Sequence, residues 1–192
     1  MSWVRACPAA RVLALFLGAT LMKLSDAVAK FLAQHVRHVF VVSGGASLHL
    51  IHSIAECDGI DYICPHHEQA AGFAADAYAR ICGLGCAIAT SGPGATNLIT
   101  PIATSFYDSV PVLYLTGQVT TGRMTGSSGV RQTGFQETPI VDMVRSITKY
   151  AETVMQPERI IEHLSAALSI ARSGRPGPVL VDIPDDLQRA DI

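Results

Sequence analysis

Glu68 is the residue whose type and place in the chain most directly suggest chemistry. It follows a short apolar segment, residues 60–64, which is typical of a strand and is closed by Pro65. From Glu68 to Gly83, small and aromatic residues recur at helical spacing, which predicts a helix with Glu68 in its first turn. Two interpretations of this carboxylate are open. It complements the helix dipole, or it serves a site at the carboxyl end of a parallel strand.

Three other turns also follow predicted strands: Gly44-Gly45, residues 90–94, and the long loop of residues 117–138. The carboxyl ends of parallel strands share one edge of a sheet, so these turns are expected to lie beside Glu68. The second turn opens a glycine-rich stretch (TSGPGATN) whose backbone N–H groups could bind an anion. It lacks the P-loop ending and the G-x-G-x-x-G spacing, which argues against nucleotide phosphate binding.

The histidines and cysteines do not form a metal-ligand set in the sequence. His49 and His52 make an H-x-x-H pair and His66 and His67 are adjacent, so neither pair completes a zinc site. His67 is interpreted as a support for Glu68 or its pocket. The five cysteines are odd in number and contain no C-x-x-C pair, which predicts reduced, mostly buried thiols in a cytoplasmic protein.

Composition and element order predict one α/β domain. Hydrophobic residues make up 49% of the 192 residues and charged residues 16%, which suits a sheet covered on both faces. The net charge of -2 gives no electrostatic basis for binding nucleic acid or an anionic membrane. Strands are predicted near residues 39–43, 60–64, 86–90, 111–116, 150–154 and 179–183. Helices are predicted at residues 48–55, 68–82, 95–107, 140–145 and 157–172, after a first helix with Ser25 as N-cap.

This alternation predicts a three-layer α/β/α fold with a mostly parallel six-stranded sheet. Residues 117–138 are too long for a connector and are expected to be a functional or disordered loop. Residues 1–22 are interpreted as an N-terminal extension with an apolar run at residues 12–22, which is too short to span a bilayer as a helix. A start codon assigned too early is favoured over a signal-like segment, so that the domain comprises residues 23–192.

Seven stretches, in order along the chain, closely resemble the pyrimidine-binding N-terminal domain of thiamine diphosphate enzymes, with the acetolactate synthase group nearest. They are residues 67–71 (HEQAA), 75–80 (ADAYAR), 90–97 (TSGPGATN), 108–111 (DSVP), 117–119 (GQV), 135–138 (FQET) and 174–179 (GRPGPV). The resemblance runs from about residue 23 to residue 186. It favours the active-site interpretation of Glu68 over the helix-dipole one.

The resemblance implies a role for each candidate site residue. Glu68 would hydrogen-bond N1′ of the cofactor's aminopyrimidine, favouring the imino tautomer that removes the C2 proton of the thiazolium, so that C2 can attack a 2-keto acid. Cys64, Pro65 and the alanine-rich helix would keep that carboxylate desolvated. The remaining implied residues are Thr90, Pro93 and Asn97 around the aminopyrimidine, Gly44 and Gly45 near the reacting carbon, and Phe135 and Gln136 facing substrate or cofactor intermediates. The structural alternatives are a helix-capping amide for Asn97, a turn residue for Gly44 and loop packing for Phe135.

Two departures from the family pattern leave the second substrate open. Ser43 stands where the family usually has Pro, and residues 126–132 look inserted before Phe135. Acetolactate synthase-like carboligation of pyruvate is favoured, and a 2-keto acid decarboxylase is the alternative. The presence of Glu68 argues against the glyoxylate carboligase variant.

The resemblance also implies partners, because family members continue into a central domain that holds FAD in some cases. A diphosphate-binding domain with a Gly-Asp-Gly motif then coordinates Mg²⁺, and this chain has no such motif. The chain is therefore expected to be inactive alone and to pair with a diphosphate-binding domain or chain in a homo- or hetero-oligomer. A non-catalytic interaction module and a truncated fragment are the other hypotheses.

Overall fold

A computed structural model describes residues 21–192. Residues 1–20 of the predicted N-terminal extension, which include Cys7, lie outside the described residues. The strands are β1 His38–Val41, β2 Asp61–Ile63, β3 Gly85–Ala89, β4 Val112–Gln118, β5 Tyr150–Thr153 and β6 Val179–Pro184. The helices are α1 Leu24–Ala33, α2 Leu48–Ala55, α3 Glu68–Cys82, α4 Pro93–Asn97, α5 Ile99–Tyr107, α6 Ile140–Val144, α7 Ile160–Arg172 and α8 Asp185–Gln188.

The six strands form one sheet in the order β2-β1-β3-β4-β6-β5, and every pair is parallel. Side chains alternate between its faces. In β4, Leu113 and Leu115 join a core with α1, α2 and α7, whereas Tyr114 joins a second core with α3, α5 and α6. The predicted three-layer α/β/α fold is confirmed, and the sheet is entirely parallel.

The strand order places a topological switch point between β1 and β3. The chain passes from β1 outward to the edge strand β2 and then returns to β3 on the other side of β1. The connections after β1 and β3 therefore diverge and leave a crevice outside the carboxyl ends of these two strands. In open α/β sheets this crevice is the usual place for a ligand.

Ser25 is not the N-cap of the first helix, and that prediction was wrong. Lys23 holds the extended backbone of the N-cap position, and Leu24 already lies in α1 with no exposed surface. Ser25 is buried in the first turn, where its hydroxyl oxygen accepts a hydrogen bond of 2.9 Å from the Ser53 hydroxyl in α2. Core packing of Leu24 therefore moves the helix start, and the serine joins two helices.

The cysteines are less buried than predicted. Cys86 in β3 is buried and Cys57 is partly buried, whereas Cys64 and Cys82 are exposed. Cys64 follows β2, whose three residues are all exposed because β2 is a short edge strand. Along residues 21–192 no helix is long and apolar enough to cross a membrane.

Asp182 is a buried carboxylate at the carboxyl end of the sheet. It lies in β6 with 1% of its surface exposed. Three neutral groups donate hydrogen bonds to it: Thr116 Oγ1 at 2.7 Å, Gln118 Nε2 at 3.1 Å and Thr153 Oγ1 at 3.2 Å. Burial penalises the charged form more than these donors favour it, and it raises the pKa of Asp182 to about 7.

This carboxylate should make the free energy of unfolding fall as pH rises. In the unfolded chain an aspartate releases its proton near a pKa of about 4, whereas folded Asp182 keeps it until pH about 7. The stabilisation is therefore complete below the unfolded pKa and is lost as pH rises through the folded one, on the order of 4 kcal/mol in total. Urea unfolding midpoints measured across this window would show the slope, and Asp182→Asn should flatten it. Parallel slopes for the two proteins would contradict the assignment.

Candidate functional site

Glu68 begins α3 at the carboxyl edge of the sheet. His67 is the N-cap of this helix, with extended backbone and a side chain whose Nδ1 accepts a hydrogen bond of 3.1 Å from the Gln69 N–H. His67 therefore supports Glu68 through the start of the helix that carries it, which satisfies one of the free N–H groups there. The sequence led to the prediction that His67 supports Glu68 or its pocket, but it did not identify this capping bond.

The structure brings Asn97 to Glu68, although 29 residues separate them in sequence. Asn97 is the last residue of α4, and its Nδ2 donates a hydrogen bond of 2.9 Å to Glu68 Oε2. Gly94, one turn earlier, lets the other oxygen approach, since a Cβ built on Gly94 would lie 3.4 Å from Glu68 Oε1. Both Glu68 and Asn97 are partly buried. One carboxylate oxygen is thus fixed by an amide, while Oε1 makes no hydrogen bond within residues 21–192.

Thr90 is enclosed by two glycines of the site. A Cβ on Gly44 would lie 2.4 Å from Thr90 Cβ, and one on Gly94 would lie 2.7 Å from Thr90 Cγ2. The Thr90 hydroxyl accepts a hydrogen bond of 3.1 Å from the Ala46 N–H. The turns that follow β1 and β3 are therefore locked together at the switch point, and only glycine fits at Gly44 and Gly94. Gly45 faces open space.

Gln136 reaches the same turn, whereas Phe135 faces solvent. Gln136 has a left-handed backbone with φ of 58°, which is uncommon for a residue other than glycine. Gly92 packs against it so closely that a Cβ there would lie 2.7 Å from Gln136 Cβ. Phe135 is 83% exposed, so it does not pack within its loop. Pro93 is also exposed at the start of α4.

The loop after β4 is organised around Glu137. The 119–138 segment is the stretch between β4 and Pro139, and Glu137 accepts hydrogen bonds within it from the Thr125 N–H and hydroxyl, both at 2.5 Å. The N–H groups of Thr133 and Gly134 donate at 3.0 and 3.2 Å. Burial alone would raise the pKa of Glu137, but these donors lower it to about 2. The alternative of a disordered loop was wrong, because hydrogen bonds to the Glu137 carboxylate hold Thr125, Thr133 and Gly134 together.

Glu137 was missed as an anchor by sequence reasoning. The available signal was a single carboxylate next to a polar run rich in threonine, serine and glycine, whose N–H and hydroxyl groups are potential donors. Residues 126–132, which were interpreted from the sequence as an insertion, are exposed. They lie outside the cluster formed by Glu68, Asn97 and Thr90.

The site is more open than the predicted desolvated pocket. Cys64 is exposed and Pro65 only partly buried, because the chain leaves the edge strand β2 there. Those two residues therefore do not enclose Glu68, and that prediction was wrong for this chain by itself. Among residues 21–192 no cluster of three or more histidine, cysteine, aspartate or glutamate side chains is placed to hold a metal ion. The arrangement provides an oriented carboxylate at the crevice of the switch point, which suits a flat polar ring with N–H or protonatable nitrogen atoms.

Comparisons with known proteins agree with this geometry. Residues 22–144 match the family described as thiamine pyrophosphate enzyme, N-terminal TPP binding domain. Acetolactate synthase 2, chloroplastic, of Nicotiana tabacum is 48% identical over 155 residues, 80% of this chain and 22% of that protein. Acetolactate synthase, chloroplastic, of Arabidopsis thaliana is 48% identical over 157 residues, 81% of this chain and 22% of that protein. The chain thus spans a little over a fifth of the length of these relatives.

Proposed function

Because this chain belongs to the family of thiamine pyrophosphate enzymes, as an N-terminal TPP-binding domain, we propose that it supplies the pyrimidine-binding half of an active site acting on 2-keto acids. Acetolactate synthase-like carboligation of pyruvate is the favoured reaction, and decarboxylation of a 2-keto acid is the alternative. The observation that carries the proposal is the hydrogen bond from Asn97 Nδ2 to Glu68 Oε2 at the switch point.

The residues at this edge fit the aminopyrimidine of thiamine diphosphate. Asn97 holds one oxygen of Glu68, so the other can share a proton with a ring nitrogen. Gly44 and Gly94 let the Thr90 side chain pack against the turns after β1 and β3, which border the crevice at the switch point. When bound, thiamine diphosphate supplies the electron sink for cleaving and forming bonds beside a carbonyl group. Glu68 is the proposed catalytic residue because it moves the proton at the ring nitrogen.

The other candidate residues have supporting roles in this proposal. Gly45 lies in the turn after β1, Pro93 begins α4, and Gln136 lies against the turn that opens α4. Phe135 projects beside Gln136 with most of its surface exposed, so it is available to a substrate or to a partner surface. We assign Gln136 to the cofactor and substrate side, and Phe135 to the substrate side.

The diphosphate and Mg²⁺ are proposed to be held by a diphosphate-binding domain or chain. Residues 21–192 offer no cluster of metal ligands, and Mg²⁺ in such sites is bound through carboxylate and phosphate oxygens. The open site around Glu68 also calls for a partner surface to exclude water. Activity is therefore expected only from a homo- or hetero-oligomeric assembly; FAD dependence and a cytoplasmic location remain predictions.

The test is a calorimetric titration of thiamine diphosphate with Mg²⁺ into the chain, alone and mixed with the diphosphate-binding domain of an acetolactate synthase. Binding only in the mixture, followed by turnover of pyruvate, would support the proposal. Omitting Mg²⁺ from the mixture is the matched control and should abolish binding. Absence of binding in every mixture would overturn the proposal and favour a non-catalytic interaction module.

A further inference from the structure

A single amide, that of Gln118, contacts both ends of the 119–138 segment. Gln118 is the last residue of β4 and is 3% exposed. Its Oε1 accepts a hydrogen bond of 2.9 Å from the Val119 N–H at the start of the segment. Its Nε2 donates at 2.9 Å to the carbonyl oxygen of Thr138 at the end. The amide therefore closes the loop at its base.

Asp182 is the third partner of this amide. Gln118 Nε2 also donates to Asp182 Oδ2 at 3.1 Å, beside the bond from Thr153. Thr116 occupies the other oxygen, Oδ1. The Val119 N–H can only donate and the Thr138 carbonyl can only accept, so Oε1 faces Val119 and Nε2 faces Thr138, and Asp182 Oδ2 accepts the second hydrogen bond of the same Nε2. A buried amide held in this way contributes geometric precision as well as stability.

The base of the loop lies two residues from the site. Thr138 carries the carbonyl that Gln118 holds, and Gln136 is the left-handed residue packed on Gly92. Gly92 immediately precedes α4, which ends at Asn97 and its hydrogen bond to Glu68. A shift at Thr138 would therefore displace Gln136 from the turn that opens α4.

We propose that Asp182, acting through Gln118, is a positioning residue that sets the place of Gln136 at the candidate site. The assignment of Gln136 to the substrate side rests on the proposed function. We call the hydrogen bonds of the Gln118 amide to Val119, Thr138 and Asp182 the clamp. The clamp rests only on the contacts of the folded chain. Asp182 touches neither cofactor nor substrate in this scheme, and its action is on the backbone of residues 136–138.

Hydrogen exchange of the full chain tests the clamp without requiring activity. Asp182→Asn and Gln118→Met each should speed amide exchange of residues 133–138 about tenfold, because each removes or misdirects the bond to Thr138. The double variant should exchange no faster than either single variant, since both changes act through one amide. Effects of the two substitutions that multiply, or unchanged exchange in either single variant, would overturn the proposal.

Asp76→Asn is the matched control because Asp76 is also a buried carboxylate. It lies in α3 and accepts hydrogen bonds from Arg80 Nε at 2.7 Å and Ser105 Oγ at 2.8 Å. This variant should leave exchange of residues 133–138 unchanged while lowering overall stability. Faster exchange there in the control would mean that general loosening explains the result, and the clamp would be rejected.

A kinetic measurement on the assembled enzyme separates the clamp from the proposed function. Gln118→Met should raise KM for the 2-keto acid severalfold while the affinity for thiamine diphosphate stays within twofold. Faster exchange with an unchanged KM would confirm the clamp and reject the substrate role of Gln136. An assembly inactive even with wild-type chain would count against the proposed function and leave the exchange result intact.

Discussion

Glu68→Gln is expected to remove nearly all turnover of a 2-keto acid by the chain assembled with its diphosphate-binding partner. Glutamine has the same shape and can still accept the hydrogen bond from Asn97 Nδ2. It cannot share a proton with a ring nitrogen, so the step that depends on acid–base chemistry is lost, by about 10²- to 10⁴-fold. Steady-state turnover, measured at saturating thiamine diphosphate and Mg²⁺, checks the prediction.

Glu162→Gln is the matched control for the helix-dipole interpretation of Glu68. Glu162 lies in the first turn of α7, is exposed, and pairs with Arg159 at the surface. Both substitutions remove a charge near a helix N-terminus, which costs a few tenths to about 1 kcal/mol of stability. Only Glu68→Gln should affect turnover. A Glu68→Gln enzyme that kept more than about a tenth of wild-type activity would show that the carboxylate serves the helix and not the proton transfer.

Gly117→Ala is expected to destabilise the fold by about 3 kcal/mol or more. Gly117 lies inside β4, where a Cβ would fall 1.9 Å from the carbonyl oxygen of Ala46 and 2.9 Å from the nitrogen of Ser47. These are backbone atoms, so no side-chain rotation relieves the clash. The turn cannot move aside freely, because Gln188 Nε2 donates to Ala46 O at 2.6 Å and the Ala46 N–H donates to Thr90 at 3.1 Å. Urea unfolding of the chain measures the loss.

Gly45→Ala is the control for Gly117→Ala, since it adds the same methyl group to the turn that Gly117 contacts. A Cβ on Gly45 would meet no atom within 4 Å, and Gly45 does not have a left-handed backbone. Its stability should change by no more than about 0.5 kcal/mol, or increase slightly through reduced freedom of the unfolded chain. Equal stability of the two variants would show that the Gly44–Ser47 turn yields to Gly117→Ala without cost.

Local periodicity determined the order and kind of the secondary structure. The predicted strands and helices occur where alternation and helical spacing place them, with shifts of up to three residues at their ends, whereas the short helix α8 was not predicted. The strand–helix junction at Glu68 was also readable, because Pro65 closes the strand and the small residues after it favour a helix. Even the single predicted helix over residues 95–107 differs from the structure mainly by a break at Leu98 between α4 and α5.

Only the tertiary structure decided which of these pieces meet. The sequence grouped Asn97 and Glu68 through family resemblance, but their hydrogen bond depends on β3 returning beside β1, which is a long-range pairing. Exposure also depended on strand order, since β2 is an edge strand and leaves Cys64 in solvent. Gln118 and Asp182 are 64 residues apart and acquire their shared role from neighbouring strands. Periodicity reports which face of an element is apolar, whereas strand order and register, set by packing of the whole chain, determine which polar groups become partners.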